Sequence, residues 1–135
     1  MPNTLTELNI EGNGIGDEGV QYLAYALENN MTLTTLNLGR NAISAEGTQF
    51  IANALANNIV RKLFLFVDHT LVKLDLQSNE IYDDGIQYIA FALRNNTILK
   101  TLNLARNNIS NKGADDLANA LENNTVKKNH PIHHF

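Results

Sequence analysis

The sequence predicts an α/β solenoid, with a parallel sheet on the concave face of an arc and helices on the convex face. Two observations carry this. The first is repetition: Leu5-Thr-Glu-Leu8-Asn-Ile10-Glu-Gly-Asn13 returns from Leu33 to Asn41, from Leu71 to Asn79 and from Leu99 to Asn107. The steps between copies are 28, 38 and 28 residues. The second is a change of hydrophobic period inside each unit. The front half alternates, with Leu36 and Leu38 inward and Asn37 and Gly39 outward, the pattern of a strand with one buried face. The back half repeats at three and four residues, the pattern of an amphipathic helix. One strand and one helix cannot bury their own apolar side, so such units must stack.

Each element follows in order. The first unit opens on a strand through Leu8 and Ile10, turns at Asn13, and enters a helix with the core face Val20, Leu23, Ala24 and Leu27. The second repeats this with Leu36, Leu38 and Asn41, then Thr48, Ile51, Ala52 and Leu55. The third uses Leu74, Leu76 and Asn79, then Ile86, Ile89, Ala90 and Leu93. The fourth uses Leu102, Leu104 and Asn107, then Ala114, Leu117, Ala118 and Leu121.

The punctuation agrees. The strand-ending Asn is a short amide that can bond the turning backbone of neighbouring coils. Ile15, Ile43, Ile81 and Ile109 follow two residues later and point back into the core. Gly19, Gly47, Gly85 and Gly113 open the helices, where a missing side chain lets helix and strand layers approach. Asp17-Glu18, Glu46 and Asp83-Asp84 suit the positive end of a helix dipole. Lys112 stands there in the fourth unit and should weaken that helix slightly. Ser44, Ser78 and Ser110 sit at turns as candidate helix caps. Asn29-Asn30, Asn57-Asn58, Asn95-Asn96 and Asn123-Asn124 mark the helix exits, since Asn tolerates the left-handed conformation used there.

The ten extra residues lie between the second and third units, at Ile59-Val-Arg-Lys-Leu-Phe-Leu-Phe-Val-Asp68. Val60-x-x-Leu63-x-Leu65 imitates the strand motif. A second parallel strand cannot follow so soon, because parallel strands need a connection of about a dozen residues or more. Three conformations stay open: a protruding loop or hairpin, an extension of the preceding helix, or an extra strand that displaces its neighbour. On an extended backbone Phe64 and Phe66 would share one side and form a surface for self-association.

The L-x-x-L-x-L-x-x-N core with a helical second half resembles the leucine-rich repeats of the ribonuclease-inhibitor type. These include ribonuclease inhibitor, the Ran GTPase-activating protein and the sensor regions of NOD-like receptors. The resemblance covers residues 5 to 58 and 71 to 125. It implies a leucine-rich repeat solenoid, a right-handed horseshoe arc, and a protein partner. It also admits a GTPase activator of the Ran type as the alternative function. Ribonuclease inhibitor is rich in cysteine, whereas this chain has none. The strand-ending Asn is closer to the NOD-like receptor and Ran GTPase-activator style.

Composition bounds the rest. A chain of 135 residues is expected to form one domain, residues 1–126, followed by a tail, 127–135. Without cysteine there is no disulfide and no thiolate chemistry. Met1-Pro-Asn-Thr lacks a basic stretch followed by an apolar run, so no signal peptide is expected. No apolar run reaches the length of a membrane span, so no membrane partner is expected and a cytoplasmic location is the default. Sequons at Asn30, Asn95, Asn108 and Asn123 read as unmodified by-products of the repeat. Net charge is −4, and residues 1 to 39 hold five acids with no Lys or Arg. Nucleic acid is not an expected partner, because no basic stripe is present. The acidic end could meet a basic partner or the basic end of another array.

Chemistry is sparse. No cysteine nucleophile and no glycine-rich phosphate loop occur. His69 stands alone, and His130, His133 and His134 read as an unanchored tail rather than a metal site. Asp83-Asp84 and Asp115-Asp116 diverge at helix starts. No enzyme, no cofactor and no metal are therefore expected. The strand residues between the leucines form columns on the hollow of the arc: Glu7, Thr35, Lys73 and Thr101; Asn9, Asn37, Asp75 and Asn103; Glu11, Gly39, Gln77 and Ala105; Gly12, Arg40, Ser78 and Arg106. This concave face is the candidate partner-binding site, with Arg40, Lys73, Asp75 and Arg106 setting specificity. On the helices, Tyr22, Phe50 and Tyr88 are expected to pack between neighbours, and Tyr25 and Phe91 to be more exposed.

Overall fold

A computed structural model describes residues 4–65 and 71–129, with the side chains of 57–65 and 125–129 left out. Strand and helix alternate: β1 (Glu7–Asn9), α1 (Gly16–Asn29), β2 (Thr35–Asn37), α2 (Ala45–Leu65), β3 (Lys73–Asp75), α3 (Tyr82–Leu93), β4 (Thr101–Asn103) and α4 (Asn111–Asn129). The strands form one parallel sheet in sequence order. Leu8, Leu36, Leu74 and Leu102 stand in register across it. The helices form the second layer and pack in the same order, each on the next. The chain is an α/β leucine-rich repeat solenoid.

The core lies between the layers. Leu36, Leu38, Leu74 and Leu76 are at most 1% exposed, and Ile43, Ile81 and Ile86 are fully covered. Through it runs a ladder of amides. Asn41 Nδ2 donates to the carbonyls of Ile10, Leu38 and Gly39, and its Oδ1 accepts from the backbone of Asn13 and Ile15. Asn79 makes the same set one unit on, and Asn107 the next. Each buried amide is thereby satisfied, which is what makes its burial tolerable.

Several expectations need correction. The extra residues do not form a loop or strand before Leu65: α2 runs on about two turns beyond Asn57. No Gly or Pro follows Gly47 in that helix, so nothing in the sequence breaks it. The extension takes up residues 59–65 of the added length, and Thr35 and Lys73 stay in register. The strand-like alternation of Phe64 and Phe66 therefore does not apply to Phe64, which lies on helical backbone. Its side chain, Phe66, His69 and the terminal histidines lie outside the described residues. Asn57-Asn58 and Asn123-Asn124 sit inside helices rather than at their exits, and α4 takes in residues 127–129 of the expected tail.

The glycines also act differently. A Cβ on Gly19 or Gly85 would strike the methyl of Ile15 or Ile81, one turn earlier in the chain. On Gly47 or Gly113 it would strike the carboxylate of Asp17 or Asp83 in the preceding unit. The close approach is thus to the isoleucine and to a neighbouring helix start, not to the strand layer. On the helices, Tyr22 is 69% exposed and Tyr88 38%, so neither is packed between neighbours, whereas Phe50 is partly buried against the core. Tyr25 and Phe91 are exposed, as expected.

Candidate functional site

The sheet face turned away from the helices holds the candidate site. The parallel register places Glu7, Thr35, Lys73 and Thr101 in one row and Asn9, Asn37, Asp75 and Asn103 in the next. Strand side chains alternate, so a buried leucine between two such residues fixes both on the open face. Glu7, Asn9, Thr35, Asn37, Lys73 and Asp75 line a hollow of about 390 Å³, with Leu8 and Leu36 at its floor. Thr101 instead lines a groove at the β4 end of the sheet, beside Lys100. Arg106 lies outside both.

The second row carries structure as well as surface. Asn9, Asn37, Asp75 and Asn103 each accept, through Oδ1, the backbone N–H two residues ahead, at 2.8–3.1 Å. Each turns the chain out of its strand in the manner of an Asx turn. The alternation in the sequence places these residues on the face but does not reveal that duty. What they still offer is the remaining part of each group. Asn37 Nδ2 donates to Glu11 at 3.2 Å, and Asn103 Nδ2 donates to Asp75 and to Gln77 at 3.2 and 2.9 Å.

Charge on the face is partly self-neutralised. Arg40 Nε lies 3.4 Å from Glu11 Oε1, with both side chains substantially exposed. That pair contributes little to stability, since exposed ion pairs contribute about 0–1 kcal/mol. It does tie up Arg40. Lys73 and Arg106 have no ion pair among the described residues. Among the described residues, the polar groups of the face left without a side-chain partner are therefore those of Glu7, Thr35, Lys73, Thr101 and Arg106.

A feature that the periodic reading missed lies at the turn after each strand. Arg40, Ser78 and Arg106 hold φ of 54°, 56° and 57°, and Gly12, in the same column, holds 73°. Among the described residues no cluster of three or more His, Cys, Asp or Glu could hold a metal ion. No helix there is long and apolar enough to cross a membrane.

The chain belongs to the leucine-rich repeat family. The Leucine Rich repeat model matches four times, over residues 2–24, 29–52, 67–90 and 95–118. Comparison with the curated proteins gives no match. Among solved structures the chain is similar to leiomodin-1 actin-binding site 2, at 28% identity and a TM-score of 0.74, covering 89% of this chain. The chain spans 65% of that leiomodin-1 chain. It is also similar in fold to a tropomodulin C-terminal domain from Caenorhabditis elegans, at 15% identity and a TM-score of 0.52, covering 92% of this chain and 86% of that one.

Proposed function

We propose that this chain is a non-catalytic protein-interaction module inside the cell, which holds its partner on the open sheet face. The observation that carries this is the face itself: a rigid row of polar side chains, fixed by sheet register and only partly consumed by internal bonds. Glu7, Asn9, Glu11, Thr35, Asn37, Arg40, Lys73, Asp75, Gln77, Thr101, Asn103 and Arg106 make up the contact surface. Residues 1–126 act as one recognition domain built of ribonuclease-inhibitor-type repeats. Actin is the first partner to test, because the leiomodin-1 region is an actin-binding site and is 28% identical to this chain. The alternative, a GTPase activator of the Ran type, has no support in these likenesses.

The test is binding of monomeric and filamentous actin, by anisotropy and by co-sedimentation. Lys73→Glu together with Arg106→Glu should weaken binding at least tenfold. The melting temperature should hardly move, since both side chains are exposed and unpaired among the described residues. Unchanged affinity in the double variant would take the contact off this face. No binding to either form of actin would remove actin as the partner.

A further inference from the structure

The outward side of the helix layer carries a pattern of its own. α1, α2 and α3 stack with their starts in register: the Cβ position of Gly47 falls on Asp17 of α1, and that of Gly85 approaches the backbone of Ala45 in α2. Tyr22, Phe50 and Tyr88 each stand three residues after the glycine of their unit, so they form a row across the three helices. One turn earlier the same helices hold Glu18, Glu46 and Asp84. Three residues later they hold Tyr25, Asn53 and Phe91. Residues three and four apart share one side of a helix, and on α1 that side is opposite the fully buried Val20. Tyr22, Tyr25 and Phe91 are each at least 63% exposed. Tyr88 is exposed too, and Phe50 between the outer helices is partly covered.

Charge follows the same rows. Glu18, Glu46 and Asp84 are exposed, and none has an ion pair among the described residues. α1 and α3 contain no Lys or Arg, and α2 has none before Arg61. A line of negative charge therefore runs beside a line of aromatic rings. The helix dipole accounts for an acid in each first turn. It does not account for the rings one turn further on. Both lines stop at α4, where the three positions hold Lys112, Asp116 and Asn119.

Single exposed apolar side chains need no explanation, but rings aligned over adjacent elements mark a contact surface. Aromatic side chains are the usual anchors of such contacts. Charge selects the occupant. The carboxylates attract cations, and so do the faces of the rings. An anionic lipid surface would meet the acidic line with like charge.

We propose that the outer face of α1, α2 and α3 docks a basic amphipathic helix of a partner protein. That helix lies across the three, with Lys or Arg over Glu18, Glu46 and Asp84 and an apolar stripe over the rings. Packed helices stand about 10 Å apart, and a helix rises about 1.5 Å per residue. Matching contacts on the partner therefore recur about every seven residues, or two turns, which keeps them on one side of it. The surface is on the layer opposite the sheet face, so this contact leaves the concave face free for its own partner.

Fluorescence anisotropy on the 135-residue chain tests this with three labelled peptides of about 18 residues, long enough to cross three helices. The first carries Lys at seven-residue intervals beside a Leu stripe. The second has the same composition in scrambled order. The third has Glu in place of Lys. The first should bind, more weakly as salt is added, and the other two should bind at least about tenfold more weakly. Tyr22→Ser with Tyr25→Ser and Phe91→Ser should weaken the first peptide about tenfold or more. Glu18→Gln with Glu46→Gln and Asp84→Asn should weaken it and flatten its salt dependence. Circular dichroism and melting temperature show that both variants remain folded, as expected for exposed positions. A first peptide that does not bind overturns the proposal, as does equal binding of the scrambled one. Unchanged affinity in either variant takes the contact off this face and overturns it as well. So does co-sedimentation of the chain with phosphatidylserine vesicles that is lost in the aromatic variant, since the face would then be a membrane surface.

Discussion

Arg106 sits in a backbone conformation that suits glycine. At φ 57° an L-residue brings its Cβ against the following carbonyl, at a cost of about 1–2 kcal/mol. Arg40 and Ser78 share this conformation, whereas the first unit has Gly12 there. Glycine would remove the clash, and its own unfolded-state entropy would return about 0.5–1 kcal/mol of the gain. Arg106→Gly is therefore expected to stabilise the chain by up to about 1 kcal/mol, measured as a rise in the denaturant midpoint at constant slope. A fall would mean that the Arg106 side chain makes a stabilising contact that offsets its strain. Stabilisation together with weaker partner binding would explain why an arginine is kept in this column. Gly12 in the sequence was the one visible signal of the conformation. The three partners in its column, with ordinary side chains, hid it.

Along the elements, the alternation and the 28-residue step were enough to place the strands and their register. They were not enough to show how adjacent helices are joined. Asp17 accepts from the backbone N–H of Ser44 at 2.8 Å and from its hydroxyl, and Asp83 does the same with Ser110, at 2.9 Å from the N–H. The serine hydroxyls then accept from Glu46 and Lys112 N–H, as helix caps do. Acids expected to serve the helix dipole are thus fasteners between units. They join the first unit to the second and the third to the fourth, while Ala45 and Tyr82 stand in those positions at the middle junction. Such a contact spans 27 residues and leaves no local periodicity to read. Its energetics are testable through Asp83. The Ser110 hydroxyl, then its N–H, hold the Asp83 carboxyl below the usual carboxylate range, helped by the Gly113 N–H and the charge of Lys112 and opposed by desolvation. A depressed folded pKa stabilises above the unfolded value, about 4, and that contribution is lost as pH falls through the folded one. Asp83→Asn should therefore cost stability at neutral pH, and the gap from the unaltered chain should close under acid conditions below the unfolded value. Equal stability at neutral pH would mean that an amide fastens Ser110 as well as a carboxylate does.

At the scale of the whole molecule, stability in a stacked array depends on how many neighbours each unit has. The same leucine occurs in every strand, so the sequence gives no reason to rank them. Position in the array does. Leu36 is 1% exposed between two neighbouring strands, whereas Leu102 is half-buried on the last strand described. Likewise the helical residues Ala114, Ala118 and Leu121, whose spacing promises a core face, are exposed, while Ile86, Ile89 and Ala90 on α3 are buried. The identity of a repeat position sets which way a side chain points; only the next unit decides whether it is covered. Leu36→Ala should cost about 2–5 kcal/mol, the range for a cavity in a packed interior. Leu102→Ala should cost less than about 2 kcal/mol, because its site is already open to water and can relax. Denaturant midpoints of the two variants decide this. Equal costs would mean that the structure around Leu102 cannot close over the lost side chain, although the site is half open to water.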